Sequence, residues 1–401
     1  MMHSIDDAKE AILAAVLPTL QTQSVSLDEA LGRISREKMC ATVPLPGFDN
    51  SAMDGFAVSS EDASTPGRTL RVVGEQPAGP NENLTIEAGE AIRVFTGAPI
   101  PEGADAVVMQ EDTKAVSDGV IEISVAAEPG EFIRRAGTDL CQGQIILEPG
   151  LRLQPAHLAV LASQGIYAVT VSALPRVAVV TTGNELVPPG APLQPGQLYN
   201  SNAPMLSSLV RSVLGTATPV SHHHLSDDPC ATTSLLAELR ESCDIVLLSG
   251  GVSVGEHDHV KKSAAEAGFS GELWRVRMKP GKPLFFASAS DCSLFGLPGN
   301  PVSSFVTFKI FVESALWKRC GAANPLKMSR FLSGRLAEDL ENKGDRPHFV
   351  RVKIDAETGE VHPTGPQRSD ALFGLSQADG LVCIDANGRL NAGTEVSVQL
   401  T

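Results

Sequence analysis

Residues 244–260 read DIVLLSGGVSVGEHDHV, and this stretch constrains the fold most. The apolar run 245–248 has no alternation, as expected of a parallel strand buried on both faces. It stops at the glycine-rich turn 249–255, and a helical pattern begins near Asp258. A strand, a glycine turn and a helix start leave backbone N–H groups facing the space beyond the strand, where an anion can be held. Glycines after a strand also simply make the turn, so the motif gains weight only if the chain repeats it.

The chain does repeat it. Residues 177–180 form an apolar strand pattern ending in TTGNEL, and 293–297 form one ending in LPGNPVSS. Between them the pattern alternates strand and helix. Asn202 stands at a helix start with Pro204 in its first turn and Gly215 after its end; 218–223 reads as a second strand, and Asp227, Asp228 and Pro229 start the next helix. Successive βα units predict right-handed crossovers and an open, mostly parallel sheet with helices on both faces. Ligands of such sheets bind at the carboxyl ends of the strands. Three turns gathered there would favour phosphate groups.

A hairpin, 273–278 and 284–287, brings Lys279 and Lys282 toward the same edge on MKPGKP. That turn is either an exposed type II turn around Gly281 or an anion clamp. Glu185, Asp227 and Asp258 fall at the strand ends too. Carboxylates facing phosphates repel unless a divalent cation lies between, and Mg²⁺ takes one or two carboxylates plus ligand phosphates. Helix capping is the other role open to Asp227 and Asp258. His222, His223 and His224 are consecutive on a strand, face alternate sides, and cannot all bind one ion. No Ser, His and Asp set or nucleophilic Cys stands out.

The rest of the chain is differently patterned. Residues 4–40 read as two helices, with Ala8, Ile12, Ala15, Val16 and Leu20 as one apolar stripe, and Ser26 with Glu29 as a capping box for the second. After Pro44, Pro46 and Gly47 comes FDNSAMDGFAV, where Asp49 and Asp54 lie in a segment apolar for a solvated loop. Short strands and turns follow from 70 to 123, then FIRRAGTDL, which sets Arg134 and Arg135 beside Asp139. Residues 147–171 return to helix, with Pro155 at its start. The simplest topology makes 44–140 a β-rich insertion between two helical pieces. Beyond Asn324, segments such as HFVRVKID and TEVSVQL read as a small β-barrel or sandwich.

Composition narrows the function. At 401 residues the chain should hold two to four domains. A net charge of −15 with scattered Lys and Arg argues against nucleic acid, so an anionic ligand would have to be met by amides and a few local cations. Seven cysteines without C-x-x-C spacing favour neither disulfides nor zinc, and reduced core positions are expected. No apolar run approaches a membrane span, and the acidic start, with Asp6, Asp7 and Glu10, lacks a signal-peptide layout. A cytoplasmic protein is expected.

The motifs FDNSAMDGFAV, FTGAPIPEGADAVVMQED, FIRRAGTDL, TTGNEL, SGGVSVGE, MKPGKP and LPGNPVSS, in this order, resemble the molybdopterin molybdenumtransferase (MoeA) family, related to the E domain of gephyrin. The resemblance implies a multidomain α/β plus β protein. Its domains would be a linear helical dimerisation domain (1–43 and 141–172), an inserted β-rich domain (44–140), a MogA-like molybdopterin-binding α/β domain (173–326) and a C-terminal β-barrel (327–401). It also implies insertion of molybdate into adenylylated molybdopterin with release of AMP, assisted by Mg²⁺ or a similar cation, in a homodimer whose cleft lies between subunits.

By that resemblance the catalytic residues are Asp54, Asp139, Glu185, Asp227, Asp258 and Lys279, with Glu185, Asp227 and Asp258 on the metal. The ligand would be held by Thr96, Gly250, Gly251, Ser253, Gly255, Arg275, Lys282, Pro298, Gly299, Asn300, Pro301, Arg351 and Ser369. Asp54, Thr96 and Asp139 would come from the partner subunit. Molybdopterin adenylyltransferase and molybdoenzyme maturation factors are the implied partners. Asn184 and Asn200 stand where the family often has acids, and Arg275 where relatives have Lys. An adenylyltransferase or a gephyrin-like scaffold is the competing expectation.

Overall fold

The computed structural model describes residues 2–251 and 259–401. Ser253, Gly255 and Asp258 therefore lie outside the described residues. The chain divides into two compact units, one of 1–37, 149–158 and 167–401, the other of 38–148 and 159–166.

The first unit is built on a six-stranded sheet. Its strands are β1 (Val177–Thr182), β2 (Val220–Leu225), β3 (Ile245–Ser249), β4 (Ser270–Trp274), β5 (Phe285–Ala289) and β6 (Cys292–Leu297). Their spatial order is β2-β1-β3-β6-β5-β4, parallel across the first four and antiparallel at β5 and β4. The chain leaves β1 toward β2, then returns to lay β3 on the other side of β1. The strand order thus reverses between β1 and β3, which is where open α/β sheets place their ligand crevice.

Both faces of the sheet are covered, and the strand alternation sorts the side chains between them. Val177, Val179, Ile245 and Leu247 pack with Leu206 and Val210 of α1 (Asn202–Leu214) and with Phe308 and Leu316. Ala178, Val180, Val246 and Leu248 pack instead with Leu236 and Leu239 of α2 (Pro229–Ser242) and with Val260 and Ala264 of α3 (His259–Glu266). Asp228 caps α2 by accepting from the Cys230 amide at 2.9 Å. Gly215 ends α1. After β6 a helical run begins at Pro301, passes through a π-turn at Phe308–Val312 and ends at Arg319.

A closed barrel of Phe331–Leu336, His348–Ile354, Glu360–Pro363, Gly380–Ile384 and Glu395–Leu400 completes this unit. It is joined to the helical run where Gln399 Nε2 donates to the Lys309 carbonyl at 3.1 Å. The N-terminal helix Ile5–Ala15 buries Ala8 and Ile12 in the same core as β1 and β3.

Three expectations fail here, two on helices and one on the cysteines. The second N-terminal helix is only Leu27–Ala30; Thr22–Ser26 is a strand paired with Ala168–Ser172. Likewise the helix in 147–171 is confined to Pro155–Ser163. Val25, Val169 and Val171 are buried one residue in two, a strand period that a helical stripe can mimic. Of the cysteines only Cys292 and Cys320 are buried, with thiols pushed up to about 12 by that burial, whereas Cys40, Cys141, Cys230 and Cys383 are exposed.

The second unit is a curled six-stranded sheet, in the order Ala106–Met109, Gly55–Val58, Glu90–Val94, Thr69–Gln76, Val120–Ile123, Thr113–Ser117. Val58, Leu70, Val108 and Ile121 pack on one face, and Ala57, Ile92, Val94 and Val107 on the other.

Candidate functional site

The crevice predicted by the strand reversal is a cavity of about 1390 Å³ in the first unit. Its floor is where the turns after β1 and β3 meet. Gly250 has φ +103°, and a Cβ there would lie 2.6 Å from the Thr182 carbonyl oxygen and from Thr182 Oγ1. Only glycine lets the two strand ends approach so closely. Gly251, Pro298, Gly299, Asn300 and Pro301 continue the floor, so the glycine-rich turns do share one rim.

The floor is tied together by Asn202, which sequence reasoning placed only as a cap. It sits inside the first turn of α1, and its Nδ2 donates to Ser249 Oγ at 2.8 Å and to the Gly299 carbonyl at 2.7 Å. One amide thereby joins the turn after β3 to the turn after β6. Capping falls to Asn200, whose Oδ1 accepts from the Ala203 amide at 3.1 Å while its Nδ2 donates to Thr181 Oγ1 at 2.8 Å. Asn202 Oδ1 and Thr182 Oγ1 are buried and have no hydrogen-bond partner among the described residues. Buried polar atoms of this kind are normally satisfied.

Charge is divided around the rim. Lys279 and Lys282 line the cavity and have no ion-pair partner among the described residues; Arg346 and Arg368 are the other cations on the wall. Glu185 and Asp227 line the opposite chemical type, with Asp370. Among the described residues the wall carries four cations and three carboxylates. Asp227 is held by Asn184, whose amide N–H donates to Asp227 Oδ2 at 3.4 Å while its Oδ1 accepts from the Asp227 amide at 3.2 Å. Among the described residues no three His, Cys, Asp or Glu gather as a metal site. His222 contacts Ser207 and His224 contacts Thr181, so the histidine run is divided among separate partners.

The barrel supplies the remaining wall. Residues 364–372 form a strap carrying Gln367, Arg368, Ser369, Asp370 and Leu372 to the cavity, and Asn300 Nδ2 donates to Ser369 Oγ at 3.1 Å. Arg351 and Arg275 are not on the cavity wall. Arg351 is 1% exposed; it donates to the Ala371 carbonyl at 2.8 Å, to Gln367 Oε1 at 3.3 Å and to the Pro366 carbonyl, and so roots the strap. Arg275, at φ +72°, donates its amide to the Leu284 carbonyl at 3.1 Å and leaves Nε buried without a partner among the described residues. His348 adjoins Lys279 through a backbone bridge; burial first, then Lys279 and Arg351, push its imidazole down to about 4.

In the second unit Asp54 and Thr96 meet. Asp54 Oδ1 accepts from both the amide and the hydroxyl of Thr96 at 2.8 Å, and the amide bond first of all holds this carboxyl below the usual carboxylate range. Gly55 follows because a Cβ there would lie 2.0 Å from the Val108 carbonyl oxygen. Asp139 is exposed and fixed by its backbone to the Leu45 carbonyl. Although FIRRAGTDL sets Arg134 and Arg135 near Asp139 in sequence, Arg135 pairs with Asp49, at 2.6 Å.

Comparison with known proteins covers the whole chain. Residues 3–165 match the family described as MoeA N-terminal region (domain I and II), 178–318 a probable molybdopterin binding domain, and 333–401 the MoeA C-terminal region (domain IV). A protein of Mycobacterium tuberculosis named molybdopterin molybdenumtransferase 2 is 36% identical over 411 residues, covering 99% of both chains. One of Haemophilus influenzae named molybdopterin molybdenumtransferase is 34% identical, covering 99% of this chain and 98% of its own. The crystal structure of a molybdopterin biosynthesis MoeA protein from Pyrococcus horikoshii matches at a TM-score of 0.86 and 28% identity over the full length of both.

Proposed function

Since this chain belongs to the molybdopterin molybdenumtransferase family, we propose that it catalyses the reaction of that name, inserting molybdate into adenylylated molybdopterin and releasing AMP. The observation that carries this reading is the cavity at the β1–β3 reversal, with glycine turns on its floor and cations on its rim. A substrate bearing several phosphate oxygens and a second substrate that is itself an oxyanion both require such a lining. Lys279 and Lys282 would neutralise charge as the two anions are brought together. The turns at Gly251 and Gly299 would seat the phosphates, the Gly250 amide being already given to the Leu297 carbonyl at 3.3 Å, and the buried Thr182 hydroxyl, without a partner among the described residues, would be a further donor.

Glu185 and Asp227 are hard oxygen donors on one rim, which fits Mg²⁺ bound by two carboxylates and ligand phosphates. Bound there, the cation would polarise the bridging phosphate. We further propose a homodimer in which Asp54, Thr96 and Asp139 of one subunit approach the cavity of the other, the four-domain division at 1–43 with 141–172, 44–140, 173–326 and 327–401, and a cytoplasmic location. Among the described residues no helix is long and apolar enough to cross a membrane.

The test is to incubate the pure protein with adenylylated molybdopterin, molybdate and Mg²⁺. Molybdate-dependent AMP release supports the proposal. ATP consumption with free molybdopterin, and no AMP release from the adenylylated form, would replace it with adenylyl transfer.

A further inference from the structure

The strap holds an ion pair for which the proposed reaction has so far no use. Arg368 Nε donates to Asp370 Oδ1 at 3.0 Å and Nη2 to Oδ2 at 2.7 Å, a two-pronged pair on the cavity wall. The two side chains are 74% and 54% exposed. At such exposure water and salt compete well for both ends, so the pair is easily exchanged despite its good geometry.

The backbone around it is not so free. Ser369, between the two, is tied to Asn300, and Arg351 holds Gln367, Pro366 and Ala371 on either side. The Arg368 and Asp370 side chains can change partner without moving the strap. Lys279 and Lys282 line the same cavity and have no carboxylate partner among the described residues. Arg368 is thus a cation of this cavity whose anion is supplied by its own strap.

We propose that Arg368 is an anion-binding residue of the cavity, with Asp370 standing in for the ligand until a multiply charged tetrahedral oxyanion takes its place. Two consequences follow from the geometry. The carboxylate offers two oxygens in one plane, which a tetrahedral dianion can reproduce against the same guanidinium fork. A monovalent anion gains nothing by displacing a tethered carboxylate, so the exchange selects for charge. The inference rests on the proposed function, in that the oxyanion is taken to enter this cavity.

The test is calorimetric titration of the full chain with molybdate, and separately with AMP, at fixed ionic strength. The variants are Arg368→Ala, Asp370→Ala and the double substitution. Removing Arg368 should weaken binding about tenfold or more, the scale of a lost charge-assisted hydrogen bond. Removing Asp370 should tighten it about two- to fivefold, the scale of an exposed ion pair. In the Arg368→Ala background the Asp370 substitution should change affinity by less than about twofold.

Dependence seen with molybdate assigns the residue to the free oxyanion, and dependence seen only with AMP assigns it to the nucleotide phosphate. Either supports the exchange. Asp370→Ala that weakens binding or leaves it unchanged overturns it, as does equal tightening with and without Arg368, which is the behaviour of a bare background charge. A wild-type chain that binds neither probe overturns this inference, while the functional proposal is decided separately by molybdate-dependent AMP release. One that releases AMP but is indifferent to Arg368 overturns this inference alone.

Discussion

Gly250→Ala tests whether the two strand ends really need to meet as closely as they do. Two costs add. The residue sits at φ +103°, a conformation that costs an ordinary residue about 1–3 kcal/mol. The new Cβ would also lie 2.6 Å from two oxygen atoms of Thr182, against the 3.4 Å at which ordinary contact begins. Relief requires the turn after β3 to withdraw by roughly 0.8 Å from β1, and overpacking of this kind costs about 1–3 kcal/mol. The total, about 2–6 kcal/mol, is a large part of the ~5–15 kcal/mol that holds a typical domain. Gly299→Ala is the internal control. Its φ is not in the left-handed region, and its Cβ would meet nothing closer than the Gly250 Cα at 3.7 Å, an ordinary contact. Chemical denaturation of the three proteins should therefore show Gly250→Ala destabilised and Gly299→Ala within about 0.5 kcal/mol of wild type. Equal stability of the two variants would refute the close-approach argument, whatever their activity.

Three further outcomes are expected. His348 should make stability pH-dependent: its folded value of about 4 lies below the ordinary 6.5, so the unfolded chain binds the proton first and stability falls as pH drops from 6.5 to 4, by up to about 3 kcal/mol. His348→Gln should flatten denaturation midpoints across that window, and an unchanged slope would show the imidazole to be uninvolved. Arg351→Met should cost about 3 kcal/mol or more, because the Pro366 and Ala371 carbonyls and Gln367 lose their buried donor; molybdate affinity should fall with it, and a melt unchanged from wild type would mean the strap is rooted otherwise. Asp54→Ala removes an exposed acceptor from Thr96, so denaturation midpoints should stay close to wild type while AMP release falls by about two orders of magnitude or more. Full turnover would end its assignment to the site.

The parts of this architecture visible in the chain are those written locally. The run 245–248 is apolar on both faces because α1 and the helical run after β6 cover one face of β3 while α2 and α3 cover the other, and its glycines are there because β1 ends against them. Sequence spacing carries such facts. It does not carry pairings between distant segments: Thr22–Ser26 finds its partner strand some 146 residues later, so its valine could equally be read into a helix. The Ser26 and Glu29 side chains do bond each other at 3.1 Å, yet Gly32 at φ +78° turns the chain before a longer helix forms. Arg135 chooses Asp49 over the nearer-in-sequence Asp139 for the same reason of long-range geometry. Arg351 was legible as a cation in a strand and not as the root of a strap, since its acceptors are mostly carbonyls, which no residue identity announces.

The two asparagines that depart from the family's acids were legible, but their meaning was not. Each has both ends of its amide engaged or its oxygen committed. Asn200 joins the end of β1 to the first turn of α1, and Asn184 pins Asp227 at the start of α2. A carboxylate at 200 would keep the Ala203 bond but could not donate to Thr181. Replacing acid by amide there removes charge from the rim while adding a donor to the scaffold. If the proposed cation binds there, Glu185 and Asp227 are its carboxylates among the described residues of the strand ends, and its affinity would lean on the ligand's own phosphates.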